Sequence, residues 1–156
     1  MGLPLVVRFS LGHTARGMSQ ENVEIVRLSV ELWNDGDWEE FRAMHDLDVV
    51  VVPPEGWPDG DVSNGIDAWI RQSMRLKEPW GVSRTLVDQV REAGDSVVCR
   101  LNWKTTGRDS GIAVETEFWA IYTLLAGKII RIAFFGDRSR ALEAVGLSEQ
   151  DAHADT

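Results

Sequence analysis

The sequence predicts an α+β domain in which a cone-shaped, curved antiparallel sheet wraps around three N-terminal helices. Three observations carry this expectation. Apolar residues recur at helical spacing as far as Lys77, then switch to the alternation that marks strands, with no return to helix before residue 138. Turn signals at Ala93-Gly94-Asp95, Gly107 to Gly111 and Ala126-Gly127 divide the second half into four long strands. Helices followed by a meander make an α+β layout. Long strands twist, so helices packed in the hollow of such a sheet leave a cone with one open mouth.

Each element has a local reason. Ser19 is placed to cap the first helix, with Glu21 in its first turn, where negative charge is favourable. Val23, Val26, Val30 and Trp33 form its apolar stripe, which Ile25, Leu28 and Leu32 widen. Asn34-Asp35-Gly36 ends it, Gly36 supplying a left-handed residue. Asp37 is expected to cap a second short helix with Trp38, Phe41 and Met44 or His45 on one face. Val49 to Val52 then read as a buried strand stopped by Pro53-Pro54. Residues 55–65 are polar loop around Trp57, an aromatic expected to close over something rather than sit in solvent. A third helix is expected over 66–77, with Trp69, Ile70, Ser73 and Met74 on one side. Strands follow at 83–91, 96–106, 112–125 and 128–135, and a last helix at 138–145. Val97, Cys99, Leu101 and Trp103 alternate with Val98, Arg100, Asn102 and Lys104 along the second of these strands.

Composition narrows the functions. The 156 residues carry 25 acidic against 16 basic side chains, a net charge of −9 with no basic run, so nucleic acid is excluded as a partner on electrostatic grounds. No apolar stretch is long enough to cross a bilayer, and no membrane association is expected. Cys99 is the lone cysteine, set in an apolar strand where a buried, inert thiol and a reducing cytoplasm fit. Residues 1–17 lack the cleavage pattern of a signal peptide and are expected to be an extension outside the fold, with Met18 as the natural start. The domain is expected over 18–147, with an acidic tail at 148–156. His45 and Cys99 in the domain core are too few ligands for zinc. No phosphate loop, nucleotide fingerprint or nucleophile elbow is present. Neither metal nor cofactor is expected.

The stretch Met18-Ser19-Gln20-Glu21-Asn22-Val23-Glu24-Ile25-Val26-Arg27, then Trp33-Asn34-Asp35-Gly36-Asp37, Trp57-Pro58-Asp59, Gly65-Ile66-Asp67 and Gly127-Lys128-Ile129-Ile130-Arg131 resembles a SnoaL-like member of the nuclear transport factor 2-like superfamily. The ending, Asp137 to Leu147, is close to that family's usual form. The resemblance spans residues 18–147 and implies the nuclear transport factor 2-like, cystatin-like cone. It also implies a pocket for a small hydrophobic molecule and a homodimer formed through the sheet. The superfamily holds ketosteroid isomerase, limonene-epoxide hydrolase and polyketide cyclase relatives as well as proteins with no chemistry, so fold alone does not assign an activity. Catalytic members place a carboxylate at the floor of an apolar cone, where low dielectric shifts its pKa.

This sequence departs from that pattern. Ala120 stands where relatives often carry His, and Ala133 where they often carry an acid. A turn at Ala126-Gly127 would set these two alanines opposite each other on one apolar floor. The expected pocket residues are Trp33, Trp57, Trp69, Phe118, Ala120, Tyr122, Ala133 and Phe135. Candidate catalytic groups are Tyr122, a phenol able to stabilise an oxyanion, and Arg100, able to polarise an oxygen, with His45 and Asp88 as possible acid–base groups. Each has a structural alternative: Tyr122 a core aromatic, Arg100 and Asn102 a polar stripe, and His45 the end of the second helix. Glu115 and Glu117 fit an exposed face. Three functions remain open: a cofactor-free isomerase, cyclase, dehydratase or epoxide hydrolase; a binding module without chemistry; and a dimerising interaction protein.

Overall fold

The computed structural model of the chain describes residues 14–58 and 60–146. The stretch before Thr14 and the tail from residue 147 lie outside the described residues.

Helix α1 (Thr14–Asp35) begins five residues ahead of Ser19, which therefore lies within the helix instead of capping it. Val26, Val30 and Leu32 are buried, and Val23, Ile25 and Trp33 pack beside them. Leu28 is 48% exposed, because two residues from Val26 or Val30 is roughly 200° around a helix of 3.6 residues per turn. The helix closes as expected. Gly36 takes a φ of +74°, its N–H donates to the Trp33 carbonyl (3.3 Å), and Asp37 N–H donates to Leu32 (3.0 Å). Those bonds fix the Asp37 backbone at φ −81°, ψ 71°, outside the extended geometry of a capping residue. Asp37 thus precedes α2 (Trp38–Ala43) without a side-chain cap bond, and Glu39 and Glu40 supply the first-turn charge.

Strand β1 (His45–Val52) is longer than the valine run and buries His45, Val49 and Val51. The loop after it contains an element not visible in the sequence, the two-residue strand β2 (Ser63–Asn64), antiparallel to β1. Helix α3 (Ile66–Lys77) has the expected bounds and buries Ile66, Trp69, Ile70 and Ser73, whereas Met74 faces out at 48% exposure. Strands β3 (Trp80–Ala93), β4 (Ser96–Gly107), β5 (Ala113–Leu125) and β6 (Lys128–Phe135) form the expected antiparallel meander. Among the described residues the sheet has six strands in the order β2-β1-β6-β5-β4-β3, and β1 joins β6 in parallel.

The sheet separates two hydrophobic clusters. On its inner face Val97, Cys99 and Leu101 of β4 and Ala120 and Tyr122 of β5 pack with α1, α2 and α3. On its outer face Val98, Trp119 and Ile121 pack under Ala141 and Leu142 of α4 (Arg138–Ala144). Asp137 caps α4 by accepting from the Arg140 N–H at 2.9 Å.

The hairpin of β5 and β6 corrects the expected register. Its two turn residues, Ala126 and Gly127, both have positive φ (51° and 80°), the conformation of a two-residue hairpin turn. Leu125 faces Lys128 and Leu124 faces Ile129, but Thr123 faces Arg131, so Ile130 is an extra residue in β6. Every later position of β6 is thereby turned over. Ala120 pairs with Phe134, and Ala133 pairs with Ile121. The two alanines are neither opposite each other nor on the same face.

Two polar devices hold α1 against the rest. Asn34 accepts from the Thr85 N–H at 2.7 Å and donates to the Thr85 carbonyl at 2.9 Å, pairing both backbone groups of a residue on edge strand β3. The Lys77 ammonium donates to the Trp33 carbonyl and lies 4.5 Å from the Trp33 ring and 5.2 Å from the Trp38 ring. A cation at the carbonyl end of α1 complements the helix dipole, and two indole faces add to its attraction. Burial lowers the Lys77 pKa against the opposing field of Asp35.

Candidate functional site

The hollow between the inner face of the sheet and α1–α3 contains a cavity of about 110 Å³. Roughly 150 Å³ of apolar cavity is enough for benzene in a well-studied protein interior, so the space is on the scale of one ring. Helices supply Ser29, Val30, Trp33, Phe41, Trp69, Gln72 and Leu76, and the sheet supplies His45, Thr85, Leu101, Trp103, Phe118, Tyr122, Ile132 and Phe134. Pro53, Pro54, Trp57 and the exposed Asp61, from the loop between β1 and β2, line it toward solvent.

The rings of the wall pack in two chains. Trp57 meets Phe118 (5.2 Å, 69°), Phe118 meets Phe134 (6.1 Å), and Phe134 meets Trp69 (6.0 Å). Trp33 meets Trp103 edge-on (6.1 Å), and Trp103 meets Trp80 (6.0 Å). Edge-to-face contacts of this kind fix ring orientation beyond what burial alone does. Trp103 is also anchored by its indole N–H, which donates to Ser83 at 2.8 Å.

Of the residues expected in a pocket, Trp33, Trp57, Trp69, Phe118 and Tyr122 line the cavity. Ala120 is fully buried in the inner core but is not part of the lining. Ala133 and Phe135 are displaced by the extra residue at Ile130. Ala133 follows Ile121 to the outer face, and Phe135 pairs with Trp119 and packs in the cluster under α4. The positions that face inward from β6 are Ile132 and Phe134. Phe134 was not distinguishable from its neighbour Phe135 without knowledge of the bulge. Trp103 was not among the expected pocket residues; its alternation with the apolar Val97, Cys99 and Leu101 was the available signal for its place in the wall.

The candidate catalytic residues divide likewise. Arg100 and Asp88 lie on the outer face, joined by two hydrogen bonds (2.7 and 2.5 Å), with Glu117 3.7 Å from Arg100. Asn102 donates to Glu115 at 3.1 Å on that face. These groups neutralise one another away from the cavity. The acid–base role considered for Asp88 and the polarising role considered for Arg100 therefore find no support in the geometry.

Tyr122 and His45 remain. Burial pushes the Tyr122 phenol well above its ordinary pKa, so the group is a neutral hydroxyl. His45 is 4% exposed. Its Nδ1 is 2.7 Å from the Phe41 carbonyl, and its ring is 4.5 Å from that of Phe41. Desolvation lowers its pKa to about 4, the field of Lys128 acting in the same direction against the bond to Phe41. His45 Nε2 and Trp33 Nε1 are both buried and have no hydrogen-bond partner. Among the described residues no cluster of three His, Cys, Asp or Glu side chains could hold a metal ion. No helix there is long and apolar enough to cross a membrane.

Solved structures share this architecture. A protein assigned as a SnoaL-like polyketide cyclase from Jannaschia sp. CCS1 is similar with a TM-score of 0.67 and 24% identity, over 77% of this chain and 88% of that one. TerC, co-crystallised with polyporic acid, is similar with a TM-score of 0.66 and 23% identity, over 80% of this chain and 98% of its own. A protein with a ketosteroid isomerase-like fold from Catenulispora acidiphila DSM 44928, in complex with trimethylamine, has a TM-score of 0.64 and 14% identity, over 80% and 93%. At these identities the likeness is one of fold. Comparison with curated proteins gave no match. The profile of the SnoaL-like domain matches residues 26–132, from the buried face of α1 to the inward side of β6, and the chain belongs to that family.

Proposed function

We propose that the chain binds a small, uncharged, largely apolar molecule of about one ring inside the cone. The observation that carries this reading is the composition of the wall. Seven Trp and Phe rings surround a ring-sized space, and among the described residues the one carboxylate in the lining, Asp61, is exposed toward solvent. Burying an ion in such a wall without a partner costs far more than burying a ring returns, so a charged ligand is disfavoured. TerC, similar in fold, was co-crystallised with polyporic acid, which is consistent with a cone that accepts a small organic molecule. Native mass spectrometry of the purified protein tests the reading: a co-purifying neutral mass, lost on unfolding, is expected. A protein that carries none, and that binds no ring compound when titrated, would sink it.

A catalytic version, as a cofactor-independent isomerase, cyclase, dehydratase or epoxide hydrolase, draws support from His45, a buried imidazole in the wall. A group that takes its proton only near pH 4 is a weak base at neutral pH. Binding is therefore the better-supported function. The outer face offers a second reading, self-association through the sheet. Val82 (61% exposed) and Leu86 (40%) stand on that face beside the Asp88–Arg100–Glu117 network. Sedimentation at several dilutions tests it, and a monomer at every concentration would dismiss it.

A further inference from the structure

A carbonyl oxygen only accepts hydrogen bonds. The 2.7 Å contact with Phe41 therefore requires the proton of a neutral His45 to sit on Nδ1, which leaves Nε2 as a bare lone pair. That atom is buried in a residue of the cavity wall and is bonded to nothing. Buried polar atoms in folded proteins are overwhelmingly paired, and an exception calls for an explanation. The imidazole is held neutral by burial, with the Lys128 charge opposing any second proton, so Nε2 cannot become a donor at neutral pH. One other polar atom of the wall is buried without a partner, and it has the opposite sense. Trp33 Nε1–H donates only, whereas Ser29, its proton directed to the Val26 carbonyl at 2.7 Å, and the Tyr122 hydroxyl keep oxygen lone pairs. An ether, ketone or ester oxygen could satisfy Trp33 but would leave His45 unanswered.

We infer that His45 is a specificity-determining residue that selects hydroxyl-bearing ligands, its Nε2 accepting the hydrogen bond of a phenol or cyclic alcohol inside the cavity. The inference rests on the cavity being a small-molecule site. It goes beyond that reading by naming the functional group the ligand must carry and the atom that reads it.

The test is a set of ¹⁹F NMR titrations of the full chain with fluorobenzene, 4-fluoroanisole and 4-fluorophenol. These share a ring, and only the last can donate. Burying an unanswered hydroxyl is unfavourable, so a cavity without an acceptor ranks the phenol last. The wild-type protein is expected to bind 4-fluorophenol more tightly than 4-fluoroanisole or fluorobenzene. In His45→Phe, which keeps a ring beside Phe41 and removes the lone pair, the fluorobenzene-to-phenol ratio of dissociation constants is expected to fall about tenfold. His45→Gln, which restores an acceptor, is expected to recover part of the preference. A phenol preference undiminished in folded His45→Phe overturns the inference, as does a wild-type protein that ranks fluorobenzene level with or above the phenol. Either result leaves the cavity reading standing. If none of the three binds, that reading falls and takes the inference with it. If His45→Phe fails to fold, the comparison of anisole with phenol on the wild-type protein decides alone.

Discussion

Acidification should destabilise the native state through His45 by an amount the structure fixes. Its imidazole takes a proton at 6.5 when unperturbed and at about 4 in the native protein. At about 1.4 kcal/mol for each pH step, that gap is worth about 3 kcal/mol. Between the two values the unfolded chain carries the proton and the folded chain does not, so unfolding takes one up and stability declines as pH falls. The contribution is complete above 6.5 and is lost once pH passes below about 4. Glu39, Asp46, Arg42 and Lys128 line a surface depression that His45 also borders. Urea denaturation across that pH interval, for the wild-type protein and for His45→Gln, removes their effect by difference because both proteins carry them. The wild-type advantage should shrink by about 3 kcal/mol toward pH 4. A difference constant to within about 0.5 kcal/mol over the whole range would refute a neutral buried imidazole.

Three further outcomes are expected. Asn34→Ala removes both hydrogen bonds to Thr85 and should lower stability by about 2 kcal/mol, a fall of about 4–8 °C in Tm by calorimetry. Cys99 is fully buried, and burial pushes its thiol up to about 12. A thiol reagent should therefore label it at the rate of global unfolding, and fast labelling in native buffer would contradict the packing. Trp57→Ala removes the loop ring that meets Phe118 at 5.2 Å. It should weaken 4-fluorophenol binding about three- to tenfold in the same NMR titration, while the urea m-value stays unchanged.

The sequence was most legible where one local rule governed an element. The apolar stripe from Val26 to Val30, the Gly36 stop, the bounds of α3 and the alternation of β4 all follow from spacing and turn chemistry, and all are present. It was least legible where a single residue changes a parity. One extra residue at Ile130 reverses the inward and outward positions of β6, exchanging Phe134 for Phe135 and removing Ala133 from the floor. Ile130 is an ordinary β-branched strand residue, so nothing local marks it as the bulge. Partners far apart in sequence were equally hidden. Ser63–Asn64 is a strand only because β1 lies beside it, and Asp88 faces outward because β3 pairs it with Arg100 on the outer face of β4. Reading the site thus required the register, which the aromatic residues alone do not encode.

The parallel seam between β1 and β6 has a consequence for how the molecule is made. Val50 to Val52 lie beside Arg131 to Ala133, so one of the earliest strands off the ribosome waits for one of the last. Until then β1 has only the short β2 along one border, and the buried valines have no sheet to cover them. Contacts of such long sequence separation slow folding and prolong exposure of sticky surface. A nascent chain stalled before residue 128 is the form in which this protein would aggregate or need a chaperone.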